Sequence, residues 1–182
     1  MRLSRTLARA GRLAVDARGA AAVEFALLVP VLCFLYFGAA EVMQGILSAR
    51  RAAHAASTIG DLVAQSSSVT QAEVGQIFTM GNAVLYPYPT APLKMRITSV
   101  VADAQGNTTV AWSQGSGMTA LSKGASVSVS SNVISANQSV VMAEVQYTYT
   151  PIIGYVLKSS IPFTDTYYLR PRLSSQVSCA DC

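Results

Sequence analysis

The sequence predicts an α+β protein in which one long N-terminal helix, apolar enough to cross a membrane, continues into a small domain with a four- or five-stranded antiparallel sheet. Three observations predict it. Residues 25–40 carry no charge and follow a short basic leader. Residues 41–65 contain no proline and repeat apolar side chains at spacings of three and four, which is a helical period. From residue 93 the period changes to two, the signature of strands that alternate faces. The 182 residues divide into a basic leader at 1–19, a long helix at 20–65 with its transmembrane segment at about 20–43, and an exported domain at 66–182.

The leader holds Arg2, Arg5, Arg9, Arg12 and Arg18 against Asp16 and so accounts for the whole net charge of +4. Eight basic and eight acidic side chains remain beyond it, so no distributed basic face invites nucleic acid. The arginines favour a cytoplasmic N-terminus and an exported C-terminal side; Arg50 and Arg51 oppose this with fewer charges. Leucines and alanines between the arginines permit a helix lying on the inner membrane surface. The uncharged run of 16 residues gives roughly 24 Å of helix at 1.5 Å per residue, short of the roughly 20 residues a bilayer requires. The span therefore borrows residues 20–24 in front or 41–47 behind, and Glu24 sits near one membrane boundary. Pro30 lacks an N–H, so an irregularity is expected where the Ala26 carbonyl loses its partner.

Beyond the span, Val42, Ile46, Ala49, Ala53, Ala56 and Ile59 form the stripe expected to face the domain or a partner helix. Ser66, Ser67 and Ser68 end this helix. Thr70 with Glu73 three residues later is a capping box for a second helix reaching about Met80, which Tyr86-Pro-Tyr-Pro terminates. Met95, Ile97, Ser99 and Val101 share one strand face, and the turn at 103–107 leads into a partner strand at 108–113. Gly, Ser and Asn fill 115–124 and 130–139, with a short edge strand at 127–129. Two longer strands follow at 140–150 and 161–170. The first presents Val141, Ala143, Val145, Tyr147 and Tyr149 on one face; the second presents Ile161, Phe163, Tyr167 and Leu169, with Asp165 as the exception.

Nothing outside the membrane resembles catalytic machinery. The chain has one histidine, His54, no phosphate loop and no nucleophile elbow, so a non-enzymatic protein without cofactor or metal is expected. Asp103, Glu144 and Asp165 read as solvated surface acids. Trp112 and Tyr147, Tyr149, Tyr155, Tyr167 and Tyr168 read as core and sheet-face aromatics. Cys33 reads as a small buried hydrophobe. Cys179 and Cys182 form a terminal C-A-D-C. Two ligands make a poor zinc site, and a thioredoxin-like pair would open a helix for which no residues follow, so a local disulfide is the expectation outside the cytoplasm.

Glu24 is costly inside a span, by about 2.5–3.5 kcal/mol at the centre on insertion scales, unless it reaches the headgroups, favours a helix N-terminus or finds a cation. Its setting is informative: Gly19, then Ala20, Ala21, Ala22 and Val23, then Glu24 and Phe25. This resembles the G-x-x-x-x-E-[YF] signature of Flp-type prepilins. The segments RGAAAVEFALLVPVL, AEVQYTYTPIIG and TDTYYLRPRLS are similar to those of TadE/TadF-like and TadG-like minor pseudopilins of tight-adherence pilus systems. The resemblance implies a processing site at Gly19 and Ala20, where a prepilin peptidase cuts on the cytoplasmic side of the bacterial inner membrane. It implies that Glu24, with Phe25 beside it, pairs with the new amine of a neighbouring pilin or pseudopilin, and that the C-terminal domain is periplasmic or carried into the pilus. Simple Flp pilins are very short, and the added domain here argues for a minor, capping or priming role. The alternative is a signal-anchored envelope binding module, with residues 38–40 or 53–55 as signal-peptidase sites; both fit poorly, because the apolar region is too long and holds Glu24.

Overall fold

The computed structural model describes residues 19–152, 154 and 157–182; the leader at 1–18 and Tyr155 lie outside the described residues. Helix α1 (Ala20–Ala64) runs 45 residues, about 67 Å at 1.5 Å per residue, and passes through Pro30 without a break. Gly19 precedes it without a side-chain cap. Its far end closes with the Gln65 N–H on the Asp61 carbonyl at 3.0 Å. Strand β1 (Ser68–Val69) follows, then helix α2 (Gln71–Val84), whose capping box of Thr70 and Glu73 forms in both directions. Helix α2 extends four residues past the expected end at Met80. Gly81 does not break it, because that glycine lets Ile59 and Met95 approach the helix backbone, and no proline arrives before Pro87.

Strands β2 (Leu93–Ala102), β3 (Thr108–Ser116), β4 (Ser139–Tyr149) and β5 (Ile161–Leu169) form one antiparallel sheet in the order β3-β2-β4-β5. A terminal strand β6 (Ser178–Cys179) pairs in parallel with β1. The main core lies between one sheet face and the two helices. Met95, Ile97, Val141, Ala143, Val145, Tyr147 and Tyr149 meet Ala52, Ala56, Ile59 and Val63 of α1 and Val74, Ile77 and Phe78 of α2.

The alternation expected along β2 fails at its end. The β2–β3 pairing slips between Ser99 and Val100, so that Ser99 faces Trp112 and Val100 faces Val110, and Val100 is buried while Val101 is only half-buried. Val100 joins Ala102, Ile134, Val140 and Met142 in a second core on the opposite sheet face. Its cover comes from the segment expected to hold an edge strand at 127–129. That segment makes one isolated bridge, Thr109 with Ser126, and supplies Leu121, Val127, Val129 and Val133. On the edge strand β5, Ile161, Phe163 and Leu169 are half-buried but Tyr167 and Tyr168 are exposed.

Candidate functional site

The first part of α1 makes no core. None of residues 20–37 is buried, and Gly19, Ala20, Glu24 and Phe25 all stand exposed. Glu24 makes no hydrogen bond or ion pair among the described residues. It lies four positions beyond Ala20, one helical turn away on the same face. Cys33 is exposed too, in contrast to the buried position expected, because none of the other described residues covers the apolar run there.

The domain meets the helix first at Gly38. From there the buried positions are Gly38, Glu41, Gly45, Ser48, Ala52, Ala55, Ala56, Ile59, Gly60, Val63 and Ala64. This differs from the expected stripe. Val42 and Ile46 face outward with Met43 and Leu47, Ala49 and Ala53 are half-buried, and only Ala56 and Ile59 face inward as read. The inward face is the small one, because the sheet comes close: a methyl placed on Gly45 would touch the Tyr149 ring at 3.4 Å, and one on Gly60 would lie 2.9 Å from the Ala143 methyl. Large apolar residues find no room there, so the exposed apolar surface runs from Val23 to Leu47.

Glu41 interrupts that stretch and is only 5% exposed. Its Oε1 accepts the Gly154 N–H at 2.6 Å and its Oε2 accepts the Leu157 N–H at 3.1 Å, while its own carbonyl accepts the Tyr149 hydroxyl at 3.3 Å. Charge-assisted bonds of this kind offset the cost of removing a carboxylate from water. One turn on, the Tyr88 hydroxyl donates to Gln44 Oε1 at 2.8 Å, and Arg51 donates to the Tyr86 carbonyl. Glu41 thus ties the β4–β5 connection to the helix, and Gln44 and Arg51 tie the α2–β2 connection. Burial pushes the Tyr149 phenol above its ordinary pKa, with the Glu41 charge and then Tyr88 adding to the rise. Sequence reasoning passed over Glu41 because it used the residue only to mark the end of the uncharged run. The signal was its place at the three-and-four spacing of Gly38, Gly45, Ser48 and Ala52.

The other acids divide. Asp103 is a fully exposed turn residue whose oxygens accept the Gln105 and Asn107 N–H groups and the Asn107 side chain, which lowers its pKa. Asp165 is exposed. Glu144 is not a solvated acid: Arg96, its cross-strand neighbour, grips both its oxygens at 2.7 and 2.8 Å and also reaches the Thr119 carbonyl. At the far end, Cys179 and Cys182 are joined in a disulfide, which removes both sulfurs as thiolate ligands although Asp181 lies beside them. Asp181 instead accepts the Gln71 N–H at the start of α2, and the Val177 carbonyl accepts the Trp112 indole N–H at 2.8 Å. The tail therefore laces over the domain end opposite Glu41.

Residues 19–61 match the TadE-like protein family. The TadE-like segment opens at the glycine before α1 and ends near the close of that helix, so it takes in the exposed apolar stretch, Glu24 and Glu41 and leaves the sheet outside. The TadE-like match supports involvement in the tight-adherence pilus system, and among the described residues one helix is long and apolar enough to be a single-pass membrane anchor. No curated protein and no solved structure matches the chain at a significant level.

Proposed function

We propose that the protein is a minor pseudopilin, a non-enzymatic component that takes part in assembly of a tight-adherence (Flp, type IVb-like) pilus after a prepilin peptidase cuts between Gly19 and Ala20. The leader stays cytoplasmic, the helix spans the inner membrane, and the domain lies in the periplasm. The observation that carries this reading is the family match from Gly19 onto a helix whose residues 20–37 are not buried by the described residues of the chain. Such a surface is suited to lipid before assembly and to neighbouring helices after it. Glu24 is then the one acid on that exposed apolar surface, and an unpaired carboxylate in an apolar bundle is penalised strongly enough to favour the register that supplies a cation. The amine released at Ala20 of a neighbouring subunit is that cation.

The test separates the two residues. Intact mass of the purified protein should show a chain beginning at Ala20. Gly19→Val should retain the leader and remain in the membrane. Glu24→Gln should be cut normally, because the glycine is intact, yet fail to support fibres. A wild-type chain that begins at Met1, or near residue 40 or 55, sinks the proposal.

A further inference from the structure

The domain reaches down its own helix to the depth at which a bilayer ends. Counted from Glu24 at about 1.5 Å per residue, Glu41 lies about 26 Å along the axis and Gln44 about 30 Å, the thickness of the hydrocarbon layer. Counting the exposed apolar surface instead, from Phe25 to Leu47, gives roughly 33 Å and places Gln44 about 4.5 Å and Glu41 about 9 Å short of the boundary. The two connections are tied to these residues through Gly154 and Leu157 on Glu41 and through Tyr88 on Gln44, while Arg51, about 10 Å farther along the axis, reaches back to the Tyr86 carbonyl. Each connection also presents an apolar or amphipathic side chain outward: Ile152 is 89% exposed and Tyr86 is 77% exposed. Lys158 is exposed just beyond Leu157.

We propose that this end of the domain, presented by Ile152 and Tyr86, is seated in the headgroup region of the leaflet on the domain's side. The occupant of the surface is the bilayer itself. The polar zone adds several ångströms on each side of the hydrocarbon, and tyrosine is enriched there because its ring is apolar and its hydroxyl is wet. Ile152 gains from leaving water, and the Lys158 ammonium lies where lipid phosphates are available to it. The surface is continuous with the apolar face of the helix, with Val42, Met43, Ile46 and Leu47 exposed beside it. The consequence is a domain held against the membrane at a fixed height instead of swinging on a free stalk. The inference rests on α1 spanning the bilayer and is independent of which side the domain occupies.

The experiment uses the full chain in phosphatidylcholine and phosphatidylglycerol vesicles, with lipids brominated either near the headgroup or near the chain end. Tryptophan is introduced singly as Phe34→Trp, Ile152→Trp, Tyr86→Trp or Leu173→Trp, and the signal of buried Trp112 in the parent is subtracted. Phe34 is ten residues from Glu24, about 15 Å, and reports the mid-bilayer. Leu173 is exposed next to Arg172, whose N–H bonds the Ala64 carbonyl at the far end of α1, and reports bulk water. Quenching of Ile152→Trp and Tyr86→Trp should exceed that of Leu173→Trp several-fold and be stronger with bromine near the headgroup, while Phe34→Trp responds most to bromine at the chain end. If both loop tryptophans match Leu173→Trp while Phe34→Trp is quenched, the domain stands clear of the bilayer and the surface belongs to a protein neighbour. If Phe34→Trp itself escapes quenching, the spanning helix is wrong and the inference falls with it.

Discussion

Replacing Gly60 by alanine tests the claim that the small face of α1 exists to bring the sheet close. A methyl at Gly60 would sit 2.9 Å from the Ala143 methyl and 2.5 Å from Leu169 Cδ1, where comfortable carbon contacts are about 3.5–4.0 Å. Leu169 can rotate away. Ala143 cannot, since its methyl is fixed to the backbone of β4, which is paired on both sides, with Ile97 and with Tyr167. The helix must therefore lift by roughly 0.6–1 Å, at the overpacking cost of about 1–3 kcal/mol. Alanine is the better helix former by about 0.8–1 kcal/mol, which offsets part of this. Gly75→Ala in α2 removes the ambiguity, because a methyl there meets nothing within 4 Å and only the propensity gain remains. The two variants should differ by about 1–3 kcal/mol, or roughly 2–4 °C of Tm per kcal/mol for a protein of this size. Urea unfolding in detergent, followed by near-ultraviolet dichroism of Trp112, gives both values. If Gly60→Ala is stabilised as much as Gly75→Ala, the close approach of helix and sheet is wrong.

Glu41→Gln keeps the shape but turns one acceptor oxygen into a donor, so one of the bonds from Gly154 and Leu157 is lost, at about 1.5–3 kcal/mol for a bond to a charged group. Amide exchange at residues 154 and 157 should accelerate while residues in β4 keep their protection; unchanged exchange would remove Glu41 from its role as a clamp. Alkali should weaken the domain, because the phenols of Tyr147 and Tyr149 are held above pKa 10, chiefly by burial. The unfolded chain releases those protons first, so this stability is complete below about pH 10 and is lost as pH rises through the folded-state values. Tyr149→Phe should show a shallower decline between pH 9 and 11 in the same unfolding assay; an identical slope would show that Tyr149 does not contribute.

What could be read from the sequence was whatever a local rule governs. The capping box at Thr70 and Glu73 satisfies helix donors within four residues, and the alternation of Val141 to Tyr149 needs only one buried face, so both appear as expected. The buried side of α1 obeyed no such rule. Hydrophobicity singled out Val42 and Ile46 to face the domain or a partner helix, but on the domain side the distance to the sheet decided for Gly45 and Ser48, and that distance is set by Tyr149 and Ala143 roughly a hundred residues away. The slip after Ser99 and the cover over Val100 depend likewise on where the segment from 117 to 138 folds back. At the candidate site, Gly19 and Glu24 were legible because they form a contiguous pattern. Glu41 was not, because its partners are backbone N–H groups, which carry no residue signature.

The two carboxylates of the anchor helix thus answer one physical demand in opposite ways. A charged group beside an apolar stretch must be hydrogen-bonded or paired. Glu41 meets that demand within its own chain and thereby fixes the domain to the helix at one height. Glu24, 17 residues and about 26 Å away, has no such internal solution among the described residues. If α1 spans the bilayer as proposed, Glu24 would be solvated only at the headgroups, and movement of the helix out of the bilayer would carry it into the hydrocarbon unless a cation travels with it. The domain cannot absorb that movement by sliding along α1, because the Glu41 bonds and the contacts at Gly45 and Gly60 set its register. On the pseudopilin function proposed above, extraction into a fibre would move helix and domain as one body, and the charge at Glu24 would be the point at which a neighbour's amine decides whether that step is favourable.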